Sequence, residues 1–100
     1  MVKHVVMFKM KTFETDLIQN DLKLKFKSEL ESLIGIIPQI KSFEVGINTS
    51  ESPAAYDLSL ISEFESNEDL DLYRKHPDHA RVLEFARQVT IKRRVVDYEV

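Results

Sequence analysis

The hydrophobic patterning predicts an α+β fold of βαββαβ type: a four-stranded antiparallel sheet with its helices on one face. Three observations carry this. Residues 2–10 place apolar side chains at every second position, His4 apart, and residues 90–99 supply a last strand with Ile91, Val95 and Val96. A long stretch from Thr15 to Ile37 repeats its apolar residues at helical spacing. Two further alternating stretches, 40–48 and 55–64, then precede a second helical region that a proline divides.

The first strand places Val2, His4, Val6, Phe8 and Met10 on one face, with Val5 and Met7 among lysines on the other. Thr15 is a suitable helix N-cap, and Asp16 follows it in the first turn. Ile18, Leu22, Phe26, Leu30, Leu33 and Ile37 then form one apolar stripe opposite a lysine- and glutamate-rich surface. This predicts a long amphipathic helix ending near Gly35 and Pro38. In the second strand Phe43, Val45 and Ile47 share a face, and a polar loop runs from Asn48 to Pro53. The third strand aligns Tyr56, Leu58, Leu60 and Phe64. Ser66 with Asp69 three residues on reads as a capping box that opens a short helix through Tyr73. Pro77 suits the first position of a new helix, which continues through Val82, Leu83, Ala86 and Val89. Residues 90–99 return as the last strand, with Ile91, Val95 and Val96. Right-handed crossovers then give the ferredoxin-like plait.

Composition limits what such a domain does. A chain of 100 residues is expected to form a single domain, 1–100, with one core. A net charge of −3 offers no bulk positive field for nucleic acid or an anionic membrane. Lys3, His4 and Lys9 interrupt the apolar N-terminus, which argues against a signal peptide, and no stretch suits a membrane span. The absence of cysteine removes thiolate metal sites and cysteine nucleophiles, and fits a cytoplasmic setting. The strand Tyr56-Asp-Leu-Ser-Leu-Ile61 lacks the stacking aromatics of an RNA-binding sheet. Neither a phosphate-cradling glycine loop nor a dinucleotide fingerprint is found. The run Lys92-Arg93-Arg94 reads as an edge-strand charge set that discourages sheet extension, and the acidic residues from Glu63 to Asp71 as a solvated helix start.

The richer strand faces, Val6/Phe8, Phe43/Val45 and Leu58/Leu60, should lie beneath the helices. The far face carries Val5, Met7, Ile61 and either Val95 or Val96, mixed with Ser42, Glu44, Ser59 and Glu63. A second copy packed sheet to sheet would cover it, making a homodimer through the sheet face. The alternative is a solvated face with scattered apolar residues.

The opening Val-Lys-His-Val-Val-Met-Phe-Lys, the Ile37-Pro38-Gln39-Ile40 turn, the Phe43-Glu-Val-Gly-Ile-Asn48 strand and Tyr73-Arg-Lys-His-Pro-Asp-His79 together resemble the stress-responsive α/β-barrel family. The resemblance runs through nearly the whole chain in order, and the Tyr-x-x-His-Pro-x-His segment is its most specific part. It implies a dimeric α/β barrel in which two ferredoxin-like sheets enclose a centre. It also implies, by similarity to a plant polyketide cyclase, a histidine and a tyrosine acting as an acid–base pair between sheet and helices, without metal or cofactor. The matching positions are His79 and Tyr73, with His4 on the first strand.

Phase supports part of that set. His79 falls in step with Val82, Leu83 and Ala86, and His4 with Val6 and Phe8, so both point toward the layer between sheet and helices. A near-neutral imidazole both takes and gives a proton. A tyrosine hydroxyl stabilises the enolate left behind. That combination suits a cyclase, lyase or isomerase step on a small carbonyl compound. The competing readings make His79 a core histidine and Tyr73 a helix-end aromatic. The domain is then a non-catalytic dimer that binds a small apolar molecule or serves a stress-associated structural role. His76, before Pro77, reads as structural. Metal binding by His76 and His79 lacks support, because their spacing crosses the proline and no carboxylate cluster joins them.

Overall fold

The computed structural model describes all 100 residues. Its elements are β1 (Val2–Met10), α1 (Asp16–Glu31), β2 (Ser42–Ile47), β3 (Leu58–Phe64), α2 (Asn67–Lys75), α3 (Pro77–Val89) and β4 (Thr90–Glu99). The four strands form one sheet in the order β2-β3-β1-β4, with every pairing antiparallel. This is the ferredoxin-like plait that the patterning predicts.

The helix starts form as their sequences require. The Thr15 side chain accepts the Ile18 backbone N–H at 3.1 Å, and Ser66 does the same for Asp69 at 3.2 Å. Pro77 occupies the first turn of α3, where its missing N–H costs nothing. The end of α1 differs from expectation. The helix stops at Glu31 and is capped at Ser32, well before Pro38. Residues 32–39 continue as turns, with Ile37 N–H bonded to the Leu33 carbonyl and Gly35 at φ +83°. These turns keep Leu33 and Ile37 buried, so the apolar spacing persists after the helix has ended. The second and third strands are also shorter at their starts than the alternation suggests.

On the helix side, the sheet is a set of cross-strand rows. Phe43, Ser62, His4 and Asp97 form one row; Val45, Leu60, Val6 and Val95 the next; Ile47, Leu58, Phe8 and Arg93 the third. The first three members of each row face the helices. Phe8 meets Phe26 of α1 edge to face, with ring centroids 4.9 Å apart, and Phe64 meets Tyr73 of α2 at 5.0 Å. Val95 pairs with Val6 and so belongs to the helix side. Val96, opposite Val5, supplies the far face together with Met7 and Ile61. No helix is long and apolar enough to cross a membrane.

Candidate active site

The junction between α2 and α3 creates the site. Pro77 holds His76 in extended backbone (φ −66°, ψ 138°), which ends α2 and redirects the chain. The His76 ring turns back on its own helix, and its Nδ1 accepts the Asp78 backbone N–H at 3.1 Å. His76 is thus an N-cap, as its position before the proline suggests. The His79 side chain, one turn later, faces the sheet. The Tyr73 ring, at the end of α2, is fully buried and stands edge-on to His79 with centroids 4.7 Å apart.

From below, β1 raises His4 into the same space, 6.0 Å from Tyr73 between ring centroids. All three predicted residues line one cavity of about 360 Å³, whose walls include Val6, Phe8, Leu30, Leu33, Val82 and Leu83. That volume falls in the range of small-molecule sites. His76 is not among its lining residues, and no group of three or more His, Asp or Glu side chains gathers to hold a metal ion.

Sequence reasoning missed three charged residues. Asp97, directly across the β1–β4 ladder from His4, brings Oδ1 to 2.5 Å from His4 Nδ1. Its other oxygen accepts from Arg74, which also reaches Asp71. The chain His4–Asp97–Arg74 therefore links a buried imidazole to the surface through a carboxylate. Arg93 is the third, and it lines the cavity rather than merely charging an edge. The one signal in the sequence is phase: Arg93, Val95 and Asp97 alternate along the last strand, but only pairing reveals which face they share.

Burial sets the protonation states. It lowers the His79 pKa to about 4, helped by the neighbouring His4 and Arg93 and opposed by the Arg74 backbone. Burial also lowers that of His4, while Asp97 pulls it back up through hydrogen bond and charge. It raises that of Tyr73, so the phenol keeps its proton throughout the physiological range. Near neutrality the site holds two neutral imidazoles and a neutral phenol. With Asp97 accepting from His4 Nδ1–H, the His4 Nε2 is left as a proton acceptor.

Comparison with known proteins agrees with this architecture. The family model of the stress responsive A/B barrel domain matches residues 2–100. A dimeric protein of unknown function with a ferredoxin-like fold from Bacteroides fragilis is 30% identical, with a TM-score of 0.88 over 99% of this chain and 95% of that one. A dimeric ferredoxin-like protein of unknown function from Thermobifida fusca is 20% identical, with a TM-score of 0.85 over 99% and 90% of the two chains. The hydroxynitrile lyase of Passiflora edulis is 22% identical, with a TM-score of 0.76 over 99% and 92%, a likeness of fold. No curated protein matches the chain. With the family pattern spanning all but the first residue, this chain belongs to the stress responsive A/B barrel domain family.

Proposed function

We propose that the domain is a cofactor-independent acid–base enzyme acting on a small carbonyl compound. The observation that carries this reading is the meeting of His79, Tyr73 and His4 in one largely apolar cavity. In the proposed step, an imidazole nitrogen of His79 takes a proton from carbon next to a carbonyl. The C–H electron pair moves into the enolate, and the Tyr73 hydroxyl donates a hydrogen bond to its oxygen. In an isomerisation the His79 imidazolium returns the proton to a different carbon of the delocalised enolate; in a cyclisation the enolate carbon attacks a second carbonyl, whose π bond opens to an alkoxide that takes the proton from the imidazolium. His4, held by Asp97, is the second proton carrier. With a pKa near 4, His79 is unprotonated at neutral pH but a weak base. It therefore suits a carbon acidified by two carbonyls, and the negative charge of the forming enolate raises its basicity during the step. A fold shared with a hydroxynitrile lyase is compatible with lyase chemistry, but the support comes from this chain's own residues.

Deuterium exchange at carbon, followed by proton NMR across a panel of small ketones and 1,3-dicarbonyl compounds, tests this with no single substrate assumed. The wild type should accelerate exchange for some member. His79→Gln should remove on the order of 10²–10⁴-fold of that acceleration, and Tyr73→Phe on the order of 10²-fold. An unaffected His79→Gln variant rejects the assigned base. The mostly apolar lining favours a second reading, a non-catalytic binding domain. Binding of the same compounds with no exchange by the wild type selects it.

The proposal includes a homodimer packed through the sheet face. Met7, Ile61, Val96 and Tyr98 are exposed there beside half-buried Val5, and solved relatives of this fold are dimeric. Light scattering should return twice the 11.7 kDa chain mass, and Val96→Asp should return the mass of one chain. A wild type that remains monomeric at high concentration refutes the assembly.

A further inference from the structure

We propose that the cavity takes a substrate bearing a carboxylate at the end opposite its reacting carbonyl, and that Arg93 is the specificity-determining residue that binds this carboxylate. The position of the carbonyl rests on the acid–base reading above. The position of the carboxylate rests on Arg93 alone.

Charge balance singles out this residue. Two arginines line the cavity. Arg74 is matched by Asp97 and Asp71. Arg93 has no carboxylate within ion-pair distance, although Arg81 and Arg87 on α3 both have one. It stands across from Phe8 on the helix side of β4 and borders both the main cavity and an adjoining, more open one beside Arg87 and Thr90. Its charge is also felt at both His4 and His79. An unmatched guanidinium at the mouth of an apolar cavity is a receptor for an anion. One guanidinium offers two parallel N–H donors in a fork that matches a single carboxylate.

Spacing defines the rest of the ligand. Along β1 and β4 the helix-side rows read His4/Asp97, then Val6/Val95, then Phe8/Arg93. Four residues of strand separate the first and third rows by about 13 Å. Allowing for the reach of the arginine side chain inward, a carbonyl beside Tyr73 and a carboxylate at Arg93 are bridged by a short aliphatic chain or one ring. That apolar span would lie over Val6 and Val95 and beneath Leu83. The chemical class is an oxo acid with its two functions apart.

The test is binding, measured by calorimetric titration with a homologous series of straight-chain oxo acids and their primary amides. In the wild type some acid should bind at least about tenfold more tightly than its amide. The preference should shrink as salt is raised. Arg93→Gln should abolish the preference while leaving the thermal midpoint unchanged, because this side chain makes no ion pair. His79→Gln should keep the preference. Equal affinity for acid and amide, a preference that survives Arg93→Gln, or no binding by any member of the series overturns the assignment. A carboxylate preference without proton exchange by the wild type leaves Arg93 assigned and removes the acid–base reading. Exchange without carboxylate preference does the reverse.

Discussion

Strands β1 and β4 lie side by side along their whole length, yet their environments are opposite. In β1 every second side chain, from Val2 to Met10, is buried; in β4 all but Thr90 are exposed. Both strands carry apolar residues on each of their faces, so composition alone does not set how far each is covered. Position does: β1 is central beneath the helix layer, and β4 is the edge beyond it. A partly covered edge gives the cavity an opening. It also allows a core histidine on one strand to meet a surface carboxylate on the next, so that His4 is buried while its partner Asp97 remains wet on one side.

That contrast can be broken at its strongest point. Phe8→Ala empties the space against Phe26 and should cost about 3–5 kcal/mol in denaturant unfolding. Val95→Ala, two positions from Phe8's partner on the exposed strand, should change stability by about 0.5 kcal/mol or less. Similar losses at the two sites would mean that β4 is as well covered as β1.

The link between the strands comes next in size. Asp97→Ala strips the acceptor from His4 Nδ1 and from Arg74, and should cost about 1–3 kcal/mol. The gentler Asp97→Asn removes the charge that raises the His4 pKa, so the His4 ring should titrate lower still by NMR. An unmoved His4 titration would show that the carboxylate does not act on the imidazole.

The smallest effect lies in the pH dependence of stability. The His79 pKa falls from 6.5 in the unfolded chain to about 4 when folded. Between these values the unfolded state binds the extra proton, so stability is full above pH 6.5, declines as pH drops toward 4, and has no further contribution from this ring below that. For a half-buried ring screened by solvent the loss is on the order of 1 kcal/mol. His79→Gln should flatten the curve in that window relative to wild type, and parallel curves would place the ring in bulk water.

What the residues reveal in order differs from what they reveal in space. Thr15, Ser66 and Pro77 announce helix starts because capping is local chemistry, complete within three or four residues. The end of α1 was not legible, because turns around Gly35 preserve the same i, i+4 burial of Leu33 and Ile37 that a helix would. His4, Tyr73 and His79 could be nominated from phase and family resemblance. Asp97 and Arg93 could not, since an alternating strand has two equivalent faces until a neighbour fixes one.

By itself, then, the chain determined its elements, their order and the buried stripe or face of every one but β4, because these follow from short-range sterics and the period of apolar residues. The tertiary structure alone decided that Asp97 faces His4, that Arg93 turns toward the cavity, and that β4 lies outside the helix layer. Those facts depend on the register between strands more than eighty residues apart and on how far three helices reach across a sheet, and no local pattern encodes either.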